Sequence, residues 1–351
     1  MLHQTEITKS HGHFIPPTLI SIEGIADLDH EIFGPVLHVA KYKAGGFFKV
    51  IEDINASGYG LTFGLHTRVD ERVQDAVTAI EAGNIYINRN QIGAIVESQP
   101  FGGKKLSGTG PKAGGPHYML RFLKERNTSD ANIANAATQQ TGKQPDNVTL
   151  QTADTGEPLI PHVKSLLNTL PDQLKFCSDQ ITNALELAES HFHTTIDLPG
   201  PTGESNRLSM EPAGTILCLN GGSDAYWLAQ SVQSLALGNA VIMAGSGADK
   251  YSAVIADWVQ DYNTGTLQAI DAAADTTVIA DLLGNAHLDA VTTVNLPQII
   301  KPVRKILADR DGPIVSLATT LFDISPLVDE KSLCVDTTAA GGNASLLAAA
   351  S

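Results

Sequence analysis

The sequence is poor in basic residues and in long apolar runs, and each shortage excludes a class of protein. Lysine and arginine number 23 against 38 aspartates and glutamates, which gives a formal net charge of −15 at pH 7. Binding to nucleic acid or to an anionic membrane surface needs a basic footprint, so neither is expected. No run of about 18 apolar residues and no basic-then-apolar leader is present. We therefore expect neither a membrane span nor secretion, and predict a cytoplasmic protein.

Cysteine is also scarce, which argues against a disulfide framework or a zinc site. The three cysteines are Cys177, Cys218 and Cys334. They lie far apart in the chain and show no pairwise spacing, as is usual for buried thiols in a reducing compartment. We expect each of them to be a buried structural residue.

Histidine offers no stronger metal site. The histidines that cluster in the sequence are His3, His11 and His13 near the start, and His191 and His193 further on. The first group has no carboxylate or cysteine at ligand spacing, so a solvated segment is favoured. A metal pair at the second group is conceivable but disfavoured, and we predict no metal site.

What the sequence does contain is a long segment rich in glycine and proline. It follows a short apolar strand, Ile85–Ile87, and runs from Gly93 to Pro116. Neither a helix nor a central strand tolerates this density of glycine and proline, so a long shaped loop is predicted. Apolar residues such as Ile92 and Phe101 interleave the glycines and would be costly to leave in water. We therefore expect an ordered, functional loop.

Three phrases within this loop carry a family resemblance. They are Gly93-Ala94, Gln99-Pro100-Phe101-Gly102-Gly103, and Ser107-Gly108-Thr109-Gly110-Pro111-Lys112-Ala113-Gly114-Gly115-Pro116. Together they resemble the anchor loop of the aldehyde dehydrogenases that oxidise L-glutamate γ-semialdehyde, the 1-pyrroline-5-carboxylate dehydrogenases. The resemblance is greatest to the form found in proline utilization A (PutA) proteins, where this dehydrogenase follows a proline dehydrogenase.

The resemblance implies a substrate site in the loop. Gly93 and Ala94 would offer backbone N–H groups to the carboxylate of glutamate semialdehyde, and Phe101 would line the aldehyde pocket. One departure is Glu97-Ser98, where relatives commonly have small or apolar residues.

A cofactor site is implied near the start of the chain by Glu31-Ile32-Phe33-Gly34-Pro35. In the family, the residue matching Glu31 binds the nicotinamide ribose hydroxyls of NAD, and the residue matching Phe33 packs beside the ring. A carboxylate has several acceptor sites for a diol, and an aromatic face suits a planar ring. From the residues alone, a surface glutamate and a core phenylalanine before a turn would be the ordinary interpretation. FAD would belong only to the proline dehydrogenase part of a PutA parent.

The pattern along the chain predicts an α/β fold. Residues 49–56 and 70–82 are predicted helices, and residues 58–65 and 85–87 are predicted strands. Further on, strands at 215–219 and 240–244 alternate with helices at 224–237 and 250–262. The resemblance implies the C-terminal part of an aldehyde dehydrogenase catalytic domain followed by a degenerate Rossmann-like domain of the same superfamily.

Composition places the boundaries between these parts. Residues 1–126 form the end of the catalytic and anchor region, and residues 127–160, poor in large apolar side chains, form a linker. The accessory domain spans 161–330 and a small-residue tail spans 331–351. The resemblance implies a tail that packs on the dehydrogenase, whereas composition alone favours a disordered terminus.

The accessory domain is predicted to be structural. Active relatives have a glycine-containing turn after the strand matching residues 288–293, but Asn295 stands here and cannot give the close backbone approach of glycine. Gly245-Ser246-Gly247 could hold an anion, although a plain β-α turn is favoured. The match of Gly108 to Ala113 to a dinucleotide fingerprint is rejected, because Pro111 interrupts it and no strand leads directly into it.

No catalytic residue is assigned within this chain. The family's nucleophilic cysteine and general base lie upstream of the position matched by Glu31, and none of the three cysteines matches. We therefore expect a fragment of an NAD-dependent glutamate semialdehyde dehydrogenase, inactive alone, with apolar surface on its first segment and a tendency to form homo-oligomers. The alternative is a stand-alone, non-catalytic lid or assembly protein derived from the same family.

Overall fold

The computed structural model describes residues 1–7, 11–122, 154–192, 195–271, 276–294, 297–321 and 323–338. Its strands are β1 His3–Gln4, β2 Thr18–Ser21, β3 Val36–Val39, β4 Tyr59–Gly60, β5 Thr62–Leu65, β6 Asn84–Ile87, β7 Lys104–Lys105, β8 Ile196–Leu198, β9 Glu204–Pro212, β10 Thr215–Leu219, β11 Ala240–Ala244, β12 Leu267–Ile270, β13 Ala290–Thr292, β14 Ser316–Ala318 and β15 Val328–Asp336. Its α-helices are α1 Phe47–Ala56, α2 Asp70–Ala79, α3 Val163–Asn168, α4 Ser178–His191, α5 Asp224–Ala236, α6 Ala248–Trp258, α7 Thr276–Asn285 and α8 Pro297–Ala308.

The second half of the chain forms a parallel sheet in the order β12-β11-β10-β13-β14. All four neighbouring pairs run parallel. Counted along the chain, this is the order 3-2-1-4-5, which is that of a doubly wound nucleotide-binding sheet. Strands β10 and β11 have the predicted bounds, because each is a short apolar run that is buried along its whole length.

Helix α5 lies at the centre of this unit. Every residue from Trp227 to Ala236 is buried, so the helix is covered on its polar as well as its apolar face. The buried amide of Gln233 on the polar face has partners: its Nε2 donates to the carbonyls of Ala184 and Leu321, each at 3.0 Å. Because a buried amide without a partner would be costly, these bonds fix α5 between α4 and the rest of the unit.

A second, mixed sheet joins the two halves of the chain, in the order β5-β6-β15-β9-β8. Strand β6 pairs in parallel with β5 on one edge and with β15 on the other, and β15 pairs antiparallel with β9. Val335 of β15 joins the apolar core that packs α1 and α2 against β6. The first segment therefore shares its sheet and its core with the second half.

One of the domain boundaries expected from the sequence falls within this mixed sheet. The division between residues 330 and 331 falls inside β15, a continuous strand. The end of the predicted linker packs on the second half, where Leu159 is 3% exposed and its N–H donates to the Ala236 carbonyl at 2.7 Å. Residues 123–126 of the catalytic and anchor region, 127–153 of the linker and 339–351 of the tail lie outside the described residues.

The first segment carries two smaller sheets. Strand β2 pairs antiparallel with β1 and parallel with β3, and β4 pairs antiparallel with β7. None of the residues of β1, β2 or β3 is buried. Several large apolar side chains around them are exposed, including Phe33 at 88% and Leu37 at 62%. Exposed apolar surface on the first segment is therefore present, although the edge of β6 is covered.

Candidate functional site

The predicted loop begins where β6 ends. Strand β6 is buried at every position, and Asn88, the next residue, adopts a left-handed backbone with φ of 57°. Its side-chain oxygen accepts a hydrogen bond from the N–H of Thr67 at 2.9 Å. Because β5, β6 and β15 run parallel, their carboxyl ends meet at one edge of the sheet. The anchor loop, residues 88–117, leaves the sheet at the edge where α/β folds place ligands.

Gly93 and Ala94 lie at the exposed tip of the anchor loop. On one side, the N–H of Ile92 donates to Asn90 Oδ1 at 3.1 Å, and on the other, the N–H of Ile95 donates to Gln99 Oε1 at 3.2 Å. Within the described residues, the N–H groups of Gly93 and Ala94 have no acceptor. Two adjacent amides are thus available between two that are held in place.

Phe101 lies deeper in the loop and is half-buried. Its N–H donates to the Ala113 carbonyl and its carbonyl accepts from the Ala113 N–H, both at 2.9 Å. This antiparallel bridge closes the glycine-rich segment on itself. The predicted role of Phe101 in a pocket stays a prediction.

Glu31 and Phe33 lie on a different part of the surface, between a short 3-10 helix and β3. Both are exposed, Phe33 at 88%. No hydrogen bond, ion pair or ring contact joins either side chain to the anchor loop in the part of the chain that the structure describes. The structure therefore places these two residues on an open face and does not bring them into contact with Gly93 and Ala94.

The far end of the anchor loop is fixed to β15. Glu330 Oε2 accepts a hydrogen bond from the N–H of Lys112 at 2.6 Å, and Glu330 Oε1 lies 2.5 Å from His117 Nδ1. The side chain of Lys112 is 2% exposed and donates to the Gly102 carbonyl and to Asn84 Oδ1. Burial lowers the pKa of Lys112 to about 7, because the interior disfavours the charged amine.

A charged cluster lies next to this end of the loop and borders a cavity of about 1550 Å³ between the two halves of the chain. Lys104 Nζ lies 2.7 Å from Glu211 Oε2 and 3.7 Å from Asp329, and Lys331 also pairs with Glu211. Burial alone would lower the pKa of Lys104, but Asp329 and Glu211 outweigh it and raise the pKa. These groups satisfy one another, and Gly93, Ala94 and Phe101 do not line the cavity.

The three cysteines are free and buried, which confirms their expected burial. Burial raises the pKa of each thiol, and that of Cys177 reaches about 11. A nucleophilic cysteine requires a thiolate, which an electropositive and partly exposed site stabilises. At neutral pH all three thiols are protonated, and none has the properties of a catalytic nucleophile.

Beside Gly221, side chains of the protein pack into the crevice of the parallel sheet. In a doubly wound sheet the dinucleotide lies where the strand order reverses, here beyond the carboxyl ends of β10 and β13. A Cβ added to Gly221 would lie 2.2 Å from Val294 Cγ2, and Val294 is 3% exposed. Gly247 belongs to Gly245-Ser246-Gly247, the turn considered as an anion site. It has φ of 80° and directly precedes α6. Asn295 lies outside the described residues.

Sequence reasoning missed three residues at the base of the anchor loop. Arg89 Nη1 donates to Glu204 Oε1 at 2.9 Å, and Gln99 Nε2 donates to Glu204 Oε2 at 3.2 Å. Arg89 and Gln99 lie in sequence on the two sides of the loop tip, but Glu204 lies 105 residues beyond Gln99. No spacing in the sequence connects them.

Two further kinds of site, a membrane-spanning helix and a metal site, are absent from the described part of the chain. No helix there is long and apolar enough to cross a membrane. Nor does that part contain a group of three or more histidine, cysteine, aspartate or glutamate side chains placed to hold a metal ion.

Comparison with known proteins identifies relatives along nearly the whole chain. Residues 2–128 match the model of the aldehyde dehydrogenase family. The bifunctional protein PutA of Salmonella typhimurium is 36% identical over 349 residues, covering 96% of this chain and 24% of that protein. The 1-pyrroline-5-carboxylate dehydrogenase of Bacillus subtilis is 43% identical over 124 residues, covering 35% of this chain and 24% of that protein. The chain thus spans about a quarter of the length of these curated relatives.

The solved structures agree on the fold. A proline utilization A structure from Corynebacterium freiburgense superposes with a TM-score of 0.51 at 21% identity, covering 88% of this chain and 26% of that one. At this identity the likeness concerns the fold alone. This likeness confirms the predicted α/β fold.

Proposed function

We propose that the chain, whose residues 2–128 match the model of the aldehyde dehydrogenase family, is the substrate-anchoring part of an NAD-dependent dehydrogenase. Its substrate would be L-glutamate γ-semialdehyde and its product L-glutamate. Relatives named PutA and 1-pyrroline-5-carboxylate dehydrogenase support this substrate. The observation that carries the proposal is the pair of adjacent amides at Gly93 and Ala94, which have no acceptor among the residues that the structure describes.

The geometry of the loop suits a carboxylate ligand. Hydrogen bonds from backbone N–H groups to a carboxylate are charge-assisted and stronger than neutral ones. The flanking amides of Ile92 and Ile95 are already held, so the two free N–H groups lose little freedom when a ligand binds. An added Cβ at Gly93 would meet no atom within 4 Å, so the space beside it is open.

The test exploits this open space with a matched pair of variants. Gly93→Pro removes the N–H, whereas Gly93→Ala keeps it and fits without a clash. In the complete gene product, Gly93→Pro should raise KM for the semialdehyde about 10- to 100-fold, the effect of losing one hydrogen bond to a charged group. Gly93→Ala should leave KM close to wild type. An unchanged KM in the proline variant would remove Gly93 from the substrate site.

The residues on the open face fit the nicotinamide end of the cofactor. The Glu31 carboxylate has free acceptor positions for ribose hydroxyls, and Phe33 offers an exposed ring face of matching shape. NAD, when bound, would supply the acceptor for the hydride that the aldehyde loses. The close packing of Val294 against Gly221 leaves little room for a second dinucleotide at that turn, which supports a structural role for the unit.

The catalytic groups would come from a segment of the parent protein that precedes residue 1. Aldehyde oxidation of this kind needs a thiolate, a general base and an oxyanion hole, and the three buried thiols cannot supply the first. The 351-residue chain alone should therefore not reduce NAD in the presence of semialdehyde. Robust activity that is abolished by mutating Cys177, Cys218 or Cys334 would contradict this assignment.

The alternative function is that of a non-catalytic lid or assembly protein from the same family. The observation that favours it is the burial of every cysteine in the chain, which raises the pKa of each thiol. The DNA sequence immediately upstream of the coding region discriminates between the enzyme and the stand-alone protein. An in-frame, cysteine-containing dehydrogenase segment upstream supports the enzyme, whereas a stop codon and a separate promoter immediately upstream support the stand-alone protein.

A further inference from the structure

The tip of the anchor loop is held by one buried side chain, that of Gln99. Gln99 is 1% exposed and binds both backbone groups of Ile95. The backbone N–H of Gln99 donates to the Ile95 carbonyl at 2.8 Å, and the side-chain Oε1 of Gln99 accepts from the Ile95 N–H at 3.2 Å. Because a peptide unit is planar, fixing the Ile95 N–H also fixes the plane of the bond between Ala94 and Ile95. The direction of the loop at Ala94 therefore depends on Gln99.

The orientation of the Gln99 amide depends in turn on Glu204. An amide presents an acceptor on one side and donors on the other, and the two can exchange by a flip. Here Oε1 faces the Ile95 N–H, while Nε2 faces the Glu204 carboxylate at 3.2 Å and Cys334 Sγ at 3.4 Å. A carboxylate without a proton can only accept, so Glu204 allows only the orientation that leaves Oε1 for Ile95.

The same carboxylate also holds the start of the loop. Arg89 Nη1 donates to Glu204 Oε1 at 2.9 Å and to Cys334 Sγ at 3.1 Å, and the guanidinium lies 5.3 Å from the centre of the Tyr86 ring. The side chains of Arg89 and Glu204 are only 13% and 19% exposed, so the pair is largely removed from water. Removing Glu204 would take the carboxylate acceptor from Arg89 Nη1 and Gln99 Nε2 and leave both with Cys334 Sγ, a weaker acceptor.

Resting on the function proposed above, we propose that Glu204 is a positioning residue for substrate recognition. It lies at the first position of β9, in the second half of the chain, and ties together residues 89 and 99 on the two sides of Gly93 and Ala94. The second half thereby sets the geometry of the amides that receive the substrate carboxylate, without touching the substrate.

The experiment measures steady-state kinetics in the complete gene product. Glu204→Ala should raise KM for the semialdehyde about tenfold or more, with kcat and KM for NAD unchanged, as expected when binding is lost equally in ground and transition states. Glu204→Gln keeps one acceptor oxygen and should recover part of the loss. The matched control is Asp197→Ala, which removes a carboxylate that pairs with Arg207 on the same sheet, 3.3 Å away and far more exposed.

A second measurement is independent of turnover. In the 351-residue chain, amide hydrogen exchange at Ile95 should accelerate about tenfold or more in Glu204→Ala and stay unchanged in Asp197→Ala. If Glu204→Ala fails to fold, the partial effect of Glu204→Gln on the same amide takes its place. Unchanged exchange at Ile95, or a kcat that falls together with a wild-type KM, would overturn the positioning role.

The two proposals fail in different ways. A raised KM in Gly93→Pro with a wild-type KM in Glu204→Ala would refute the positioning role and leave the substrate site standing. A wild-type KM in Gly93→Pro would refute the substrate site, and the positioning role with it, even if exchange at Ile95 responds to Glu204.

Discussion

Replacing the buried Lys112 by methionine should change how the stability of the protein depends on pH. Lys112 is 2% exposed, and its amine contacts only the Gly102 carbonyl and Asn84 Oδ1 among the described residues. Burial lowers its pKa from the ordinary 10.5 to about 7, against the opposing effect of the Glu330 and Asp329 carboxylates. Lys104 nearby adds to the lowering because it carries the same charge.

The sign follows from the protons bound in each state. Between pH 7 and 10.5 the amine is neutral in the folded chain and charged in the unfolded chain, so unfolding takes up a proton and stability rises with pH. Above pH 10.5 the neutral amine makes its full contribution to the free energy of unfolding. This contribution is lost as the pH falls through the folded-state pKa of about 7. At about 1.36 kcal/mol per pH unit, the free energy of unfolding differs by about 4–5 kcal/mol between the two ends of this pH range.

The methionine variant lacks this titration. The free energy of unfolding of the wild type should therefore rise relative to Lys112→Met by about 1.36 kcal/mol per pH unit between pH 7 and 10. Losing the bond to Gly102 costs Lys112→Met about 1 kcal/mol at every pH and does not affect this slope. Urea unfolding followed by circular dichroism measures it, with the exposed Lys301→Met on α8 as the control. Parallel stability curves for wild type and Lys112→Met would refute the reasoning.

Three further predictions concern the surface of the first segment. Glu97 has φ of 71°, so Glu97→Gly should stabilise the chain by up to about 1 kcal/mol in urea unfolding, whereas Glu52→Gly within α1 should destabilise it by about as much. Glu31→Ala should slow hydride transfer in the complete gene product without changing its melting temperature, and wild-type turnover would remove Glu31 from the cofactor site. The isolated chain should form oligomers by light scattering, because Phe33 and Ile92 are 88% and 91% exposed; a monodisperse monomer would contradict this.

The elements that the sequence predicted best are those decided by local burial. Strands β10 and β11 are continuous apolar runs, and their bounds follow from the pattern alone. Where a bound depends on a distant contact, the prediction extends too far. Helix α2 was expected to reach residue 82 but ends at Ala79, because Ile80 turns to an extended backbone and the Gly83 N–H bonds the Gly60 carbonyl at 2.9 Å.

Strand β15 was hidden by its charges. Asp329, Glu330 and Lys331 follow one another in a stretch that also precedes a small-residue terminus, and such a run is normally a solvated one. In the structure these charges are paired with Lys104 and His117 of the anchor loop and with Glu211 of β9. Those partners come from two other segments, so no local window contains the information that the strand is buried.

Glu97 is an exception, since the sequence did contain its signal. The family commonly places small or apolar residues there, and the left-handed backbone at this position is one that a glycine adopts without strain. The sequence shows that Glu97 departs from the family pattern, but only the backbone angle φ of 71° explains why a small residue suits this position. The loop accommodates it through the hydrogen bond from the Glu97 N–H to the Gly114 carbonyl at 3.1 Å.

The second half of the chain combines a nucleotide-binding strand order with side chains that pack against Gly221 in the crevice, and this combination needs a physical reason. A unit that merely lost its ligand would need only to remain folded, and its strands would be free to stay apart from the rest. Instead, β9 and β15 extend the sheet of the first segment, and Glu204 and Glu330 hold opposite ends of the anchor loop. The contacts that this unit makes through its strands support a role in shaping the loop, and that role does not require the crevice to be open.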